Sequence, residues 1–543
     1  MKVMKISSHN PVKIHICPTK GHKDCSRIFK FSDWGRKHSW FMWLIPIVGL
    51  ISLAWFLIRV IPKPSRAAYP CQRLAAPLAS GFVLWITSLI GSTIIYRRAG
   101  SCLQKSRYVP AGICAVIAVA VIWTYISVTG SGPVAAQSFR PAEAVNSPIG
   151  IAKGINPGRV VWIRDADATS WDGITGNWWD NANTDQSIVS RMMSDALCSL
   201  TGCQTDKQAW DALFKYFNRT GDSGSDGYKT GEKVVIKINA NQDRSPEWGK
   251  GRSIPSPHVV CALMEQLIKN AGVPGEDITI YDATQGRNIG NPIYLRIRAG
   301  SDSDFQKIKF VAGTGQAMKG RTGPVFDRDN PVKFSRPDLP TAYLPKCVTG
   351  AKYMINLALL RPHNLCGVTL SAKNHYGSVY FPNDGGWVPR ALHRSSSSNN
   401  PMGSYNNLVD LIGHKHLGGK TLLYIFDALY TGENNESNVF CFQSLGDDWA
   451  SSLLVSQDPV AIDSVGLDIL RSEPRAIVRG NADNYLHEAA QANAPPSGVN
   501  YDPEGDSTKL ESLGVHEHWN NPRDKKYSRN LGIGNGIELI FKN

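Results

Sequence analysis

Two periodicities alternate along the chain from Arg159 onward. Short runs rich in β-branched and aromatic residues read as strands: RVVWIRD (159 to 165), KVVIKINA (233 to 240), ITIYDA (278 to 283), KIKFV (307 to 311), KYMINLAL (352 to 359) and TLLYIFDAL (421 to 429). Between the first two, Ile188, Met192, Met193, Ala196, Leu197 and Leu200 recur at helical intervals, as do Val259, Leu263, Met264, Leu267 and Ile268 before the third. Nearly continuous apolar strands that alternate with amphipathic helices predict an α/β domain over residues 158–543, with a largely parallel sheet flanked by helices.

Ahead of that domain the pattern changes. Trp40 to Val60, Leu78 to Tyr96 and Val109 to Val128 are each about 20 residues long and apolar nearly throughout, the length of a helix that crosses about 30 Å of hydrocarbon. They predict a membrane region over residues 40–130 with three transmembrane helices, behind a basic tail over 1–39. Residues 131–157, rich in Gly, Ser, Ala and Pro, read as a linker. Nine Lys/Arg in the first 39 residues, and Arg97, Arg98, Lys105 and Arg107 between the second and third segments, put the N-terminus in the cytoplasm. The large domain is then extracytoplasmic. Basic residues in the first loop leave a two-span topology open, and Val134-Ala135-Ala136 leaves open a cleavable signal.

Composition narrows the classes further. With 543 residues, 42% hydrophobic and 19% charged, collagen-like and wholly disordered chains are excluded. The formal net charge of +14 invites a nucleic-acid partner, but residues 1–108 hold 17 Lys/Arg against only Asp24 and Asp33. The remaining 42 basic and 43 acidic residues nearly cancel, so a nucleic-acid partner is not expected. The membrane lipid bilayer and an unknown small molecule or envelope component are the expected partners. Of the six cysteines in the large domain, Cys198 and Cys203 are the one close pair suited to a local disulfide.

Reactive side chains concentrate in RPHNLCGVTLSAKNHYGSVYFPNDGGWVPRALHR (361 to 394), which carries His363, Lys373, His375, Asp384 and His393. Imidazoles ligate metals or carry protons near neutral pH, and a buried lysine among them acts as a base or electrostatic group. His363, Lys373 and His375 are therefore candidate catalytic residues, and His363, His375 and His393 candidate ligands for a divalent transition metal. A solvated basic loop is the rival reading. Two strands end in Asp-Ala, at Asp282 and Asp427. If they are neighbours, both carboxylates point into one crevice and join Lys373 as cofactor-binding candidates; otherwise each caps the helix after its strand. His414 and His416 read as turn residues, and Asp463 either faces the site or solvates a helix that Asp458 and Pro459 begin.

The strings KVVIKINAN, RPHNLCGVTLSAKNHYGS, LLYIFDAL and LLVSQDPVAIDSVG, in that order, resemble the prokaryotic family called domain of unknown function 362, over about residues 158–475. The resemblance implies one α/β domain with a site built from these strings. Many relatives carry ferredoxin modules with clustered CxxCxxC cysteines, which are missing from this sequence, so no iron-sulfur cluster is implied. Pro362, His363 and Lys373 are also similar to the PH-and-lysine segment of the lactate racemase type. That likeness implies Lys373 as the anchor of a nickel pincer cofactor and His363 as a site histidine, although Ser371 and Ala372 stand where that type has paired glycines. Two functions compete: a membrane-anchored metal-assisted or acid-base enzyme, and a ligand-binding module without turnover whose Trp171, Trp178 and Trp179 stack on sugar rings.

Overall fold

The computed structural model describes residues 144–543 except 222–223 and 314–317, together with Ala54, Trp55 and Ile58 as helical residues. Eight strands build its central sheet: β1 (Arg159–Arg164), β2 (Val234–Lys237), β3 (Ile278–Asp282), β4 (Lys309–Ala312), β5 (Tyr353–Leu359), β6 (Thr421–Ala428), β7 (Ser452–Ser456) and β8 (Glu538–Lys542). Their lateral order is β8-β1-β7-β6-β5-β2-β3-β4. Only β7 runs against its neighbours, so the sheet is mostly parallel. All six expected strands form. β7 and β8 escape the pattern, because LLVS runs directly into the Asp-Pro helix start and β8 is a half-buried edge strand.

Alternate residues of the strands enter two cores. Tyr353, Ile355 and Leu357 of β5 face one layer, which holds α1 (Gln186–Thr201), α2 (Asp206–Thr220) and α3 (Pro257–Glu265). Met354 and Ala358 face the other, with α4 (Pro459–Ser472). The helix starts follow local chemistry: the Asp185 carboxylate accepts from the Ser187 and Ile188 amides, and Asp458 accepts from Val460 and Ala461 just before Pro459. Asp458 also accepts from the backbone N–H of Lys153 at 2.9 Å, which ties part of the expected linker into this layer.

Contacts divide the chain into two units, residues 1–137 and 138–543. The expected linker therefore ends earlier than 157: Ile149 and Gly150 pair with His516 and Val515 in a small antiparallel ladder. The basic tail and the three apolar segments lie outside the described residues, save for three positions in the first segment. Among the described residues no helix is long and apolar enough to cross a membrane. The disulfide expected between Cys198 and Cys203 does not form; both thiols are free, and Cys198 instead donates to the Asp206 carboxylate at 3.6 Å.

Candidate active site

The chain steps from β2 to β3 to β4 in one direction across the sheet, then returns to place β5 on the other side of β2 and continues outward to β6. The boundary between β2 and β5 is thus where the winding reverses, and beyond the carboxyl ends of strands at such a boundary a crevice opens. A cavity of about 180 Å³ lies there. Asn239 and Asn241 reach it from beyond β2, Asp282 and Thr284 from the end of β3, and Arg361 and His363 from beyond β5; Thr369, Lys373, Tyr376 and His393 are also in its wall.

Four candidates from the sequence meet in this cavity: His363, Lys373, His393 and Asp282. His375 does not line it. That ring is fully buried two residues beyond Lys373, on the opposite side of the helical turn, where Nε2 lies 3.1 Å from the Asn356 side-chain amide, and burial pushes its pKa down to about 3. Asp427 is also elsewhere. β3 and β6 are separated by β2 and β5, so the two Asp-Ala strand ends do not share a crevice. Asp427 instead accepts from the backbone N–H groups of Ser256 and Leu429. Asp384 lies in an exposed turn, and His414 is a buried turn residue whose Nε2 is 3.3 Å from the Pro331 carbonyl.

Asp282 has a different partner from the one expected. Lys237, the last residue of β2, is fully buried, and its Nζ donates to Asp282 Oδ2 and to Asn374 Oδ1, both at 3.1 Å. The same carboxylate accepts from the Ala240 and Thr284 amides at 2.9 Å each. Three donors thus hold Asp282 in place, two of them on Oδ2 and the Thr284 amide on Oδ1. Gly377 closes over the pair: a Cβ there would sit 2.5 Å from Lys237 Nζ and 2.7 Å from an Asp282 oxygen. The backbone approaches that closely only with glycine.

Lys373 stands on a short helical turn (Ser371–Asn374) that Asp463 holds from α4 by accepting from the Ser371 and Ala372 amides at 2.9 and 3.2 Å. Asp463 is therefore neither in the cavity nor in solvent; it orients the turn that carries the lysine. Tyr485 donates to the same carboxylate at 2.8 Å. Lys373 Nζ lies 3.0 Å from the centroid of the Tyr376 ring, and burial lowers its pKa to about 8, opposed by the Cys366 thiol.

The backbone sets the two cavity imidazoles in opposite states. His363 Nδ1 accepts from the Leu365 and Cys366 amides at 3.1 and 3.2 Å, which assigns its proton to Nε2. His393 Nδ1 faces the Pro389 carbonyl at 3.4 Å, which assigns the proton to Nδ1 and leaves Nε2 bare. Their ring centroids are 6.4 Å apart. Burial, with Lys373 nearby, pushes His393 down to about 4 and His363 well below the ordinary imidazole range, so both rings are neutral near pH 7.

These positions do not fit a metal held by protein side chains. His375 is committed to Asn356, His363 has one ring nitrogen committed to the backbone, and cationic Lys373 and Arg361 adjoin the remaining donors. Among the described residues no group of three His, Cys, Asp or Glu side chains is arranged around a metal position. Of the three tryptophans expected to stack on sugars, Trp171 and Trp178 are interior and Trp179 is partly buried against Trp178 and Trp248. Trp171 and Trp178 are 6% and 1% exposed, and they pack with Tyr430 while donating to the Thr175 and Arg252 carbonyls.

Sequence reasoning overlooks Lys237, Asn239, Arg361, Asn374 and Tyr376. One signal is present: a lysine inside the otherwise apolar run VVIK marks a buried charge that needs a partner. For the amides there is none.

Residues 234–468 match the family described as "Domain of unknown function (DUF362)", a span that runs from β2 into α4 and encloses the cavity wall. The match starts later than the resemblance read from the motifs. No curated protein matches the chain. Among solved structures, the lactate racemase apoprotein from Thermoanaerobacterium thermosaccharolyticum aligns at 13% identity and a TM-score of 0.28, over 60% of this chain and 62% of its own.

Proposed function

We propose that the cavity is the active site of an acid-base enzyme that abstracts a proton from a small molecule whose adjacent oxygen takes up the negative charge. His393 Nε2 is the base. His363 presents Nε2–H as a neutral hydrogen-bond donor to the developing oxyanion, and the Lys373 ammonium supplies the positive charge that stabilises it. The proton moves from substrate to His393 while the electron pair shifts toward the oxygen held by His363 and Lys373.

One observation carries this reading: the backbone partners of the two rings impose opposite tautomers, so one cavity holds a bare imidazole nitrogen and an imidazole N–H. Nitrogen-15 NMR of the imidazoles tests it. We expect His363 as the Nε2–H form and His393 as the Nδ1–H form, both neutral at pH 6. Averaged tautomers with titration near 6.5 for either ring would overturn the assignment.

In this reading the apolar segments anchor the chain in the membrane and the cavity opens outside the cytoplasm, toward a small molecule or envelope component. A C-terminal fusion to an enzyme active only outside the cytoplasm should be active; an inactive fusion would reverse the topology.

A further inference from the structure

Arg361 is 1% exposed and lacks the partner that buried guanidinium groups ordinarily have. Nη1 donates to the Ser253 carbonyl at 2.8 Å and Nη2 to Asn239 Oδ1 at 3.1 Å, both neutral acceptors. Its Nε is buried with no hydrogen-bond partner. The acidic group that influences it, Glu436, is half exposed and already engaged by Arg244 at 2.9 Å. Lys373, on the same wall, forms no ion pair with a carboxylate among the described residues. Thr369 Oγ1, also in the wall, is buried without a partner.

The charges of this wall are therefore unbalanced: Arg361 and Lys373 have no carboxylate of their own, and Asp282, on the same wall, is paired with Lys237. Desolvated cations kept beside orphaned donors are complementary to an anion that arrives with the ligand. We infer that the ligand of this cavity bears a carboxylate, seated between the Nε edge of Arg361 and the ammonium of Lys373, with Thr369 in reach of the same group. A carboxylate fits better than a phosphoryl group. A planar guanidinium edge matches two coplanar oxygens, whereas the backbone N–H nests and long-helix N-termini that usually cradle phosphate do not appear among the lining residues. The inference names the substrate class of the proposed active site and rests on that reading for its catalytic meaning.

Ligand-detected NMR on the full chain in detergent tests it, with acetate, acetamide and inorganic phosphate as probes. Acetate should bind and acetamide should not. Lys373→Met should weaken acetate at least tenfold, and Arg361→Lys, which keeps the charge but removes the Nε edge, should weaken it comparably. The Lys373 variant keeps the inference testable if the Arg361 variant fails to fold, because Arg361 also ties Ser253 to Asn239. Absence of acetate binding to the wild-type chain, or equal binding by Lys373→Met, would overturn the inference; phosphate binding in the absence of acetate binding would overturn the carboxylate. The tautomer measurement is made without ligand, so either result can fail while the other stands.

Discussion

Arg361 and Asn239 are joined by a 3.1 Å hydrogen bond across the boundary where the sheet reverses its winding, one residue lying just beyond β5 and the other just beyond β2. That bond fixes the floor of the cavity. It also links the strand that leads to His363 with the strand that supplies Lys237, so the cationic wall and the buried ion pair are built on one rigid seam.

The Lys237–Asp282 pair should be strongly cooperative. Lys237→Met leaves a buried carboxylate with only backbone donors, and we expect a loss of about 3–5 kcal/mol in urea unfolding. The double variant Lys237→Met/Asp282→Asn should recover a large part of it. Additive losses would show that the two groups do not act as a pair.

Gly377→Ala should be costly although alanine is small. The added methyl falls within contact distance of Lys237 Nζ and both Asp282 oxygens, at 2.5, 2.7 and 2.8 Å, and the neighbours are too enclosed to yield. A destabilisation of about 1–3 kcal/mol is expected, with disturbed resonances at Ala283, whose amide donates to the Gly377 carbonyl at 2.7 Å.

Lys373→Met should stabilise the unliganded protein at pH 7, by about 3 kcal/mol or less, because it removes a buried cation that has no acidic partner. The sign of the pH dependence comes from its lowered pKa. Between about 8 and 10.5 the unfolded chain holds the proton that the folded chain has released, so wild-type stability rises with pH through that window. The advantage of the variant should shrink over the same interval, as denaturant midpoints at pH 7 and 10 would reveal.

Acid should weaken the fold in two stages. His375, His393 and His414 are pushed down to about 3, 4 and 3 and His363 is also lowered, so below pH 6.5 the unfolded state binds protons that the folded state refuses. Asp427, Asp458 and Asp463, each raised to about 6 by burial, act with the opposite sign, because their folded forms take up protons first. A shallow loss of stability from pH 6.5 to 4 is expected, then a steep loss below 4, where the carboxyls of both states are protonated. A monotonic gain on acidification would contradict the buried, neutral state of the imidazoles.

Asp463 illustrates how far the sequence can be read. Its place five residues after Asp458 at the start of an amphipathic helix is legible, but its role in holding the Lys373 turn depends on a contact with Ser371, 92 positions earlier. His375 is the converse case. Its nearness to Lys373 in sequence suggests a shared site, yet two residues are about half a helical turn, which sends it into the core.

The amino-acid pattern by itself determined the alternation of strands and helices, the six principal strands and the chemical richness of residues 361–394, because local periodicity records which side of each element is buried. Tertiary structure alone decided that β2 and β5 are neighbours, that Asp282 pairs with Lys237 rather than facing Asp427, and which nitrogen of each cavity histidine carries the proton. Lateral strand order and buried polar partnerships arise between residues far apart in the chain, such as Lys237 and Asn374, 137 positions apart, and no local period encodes them.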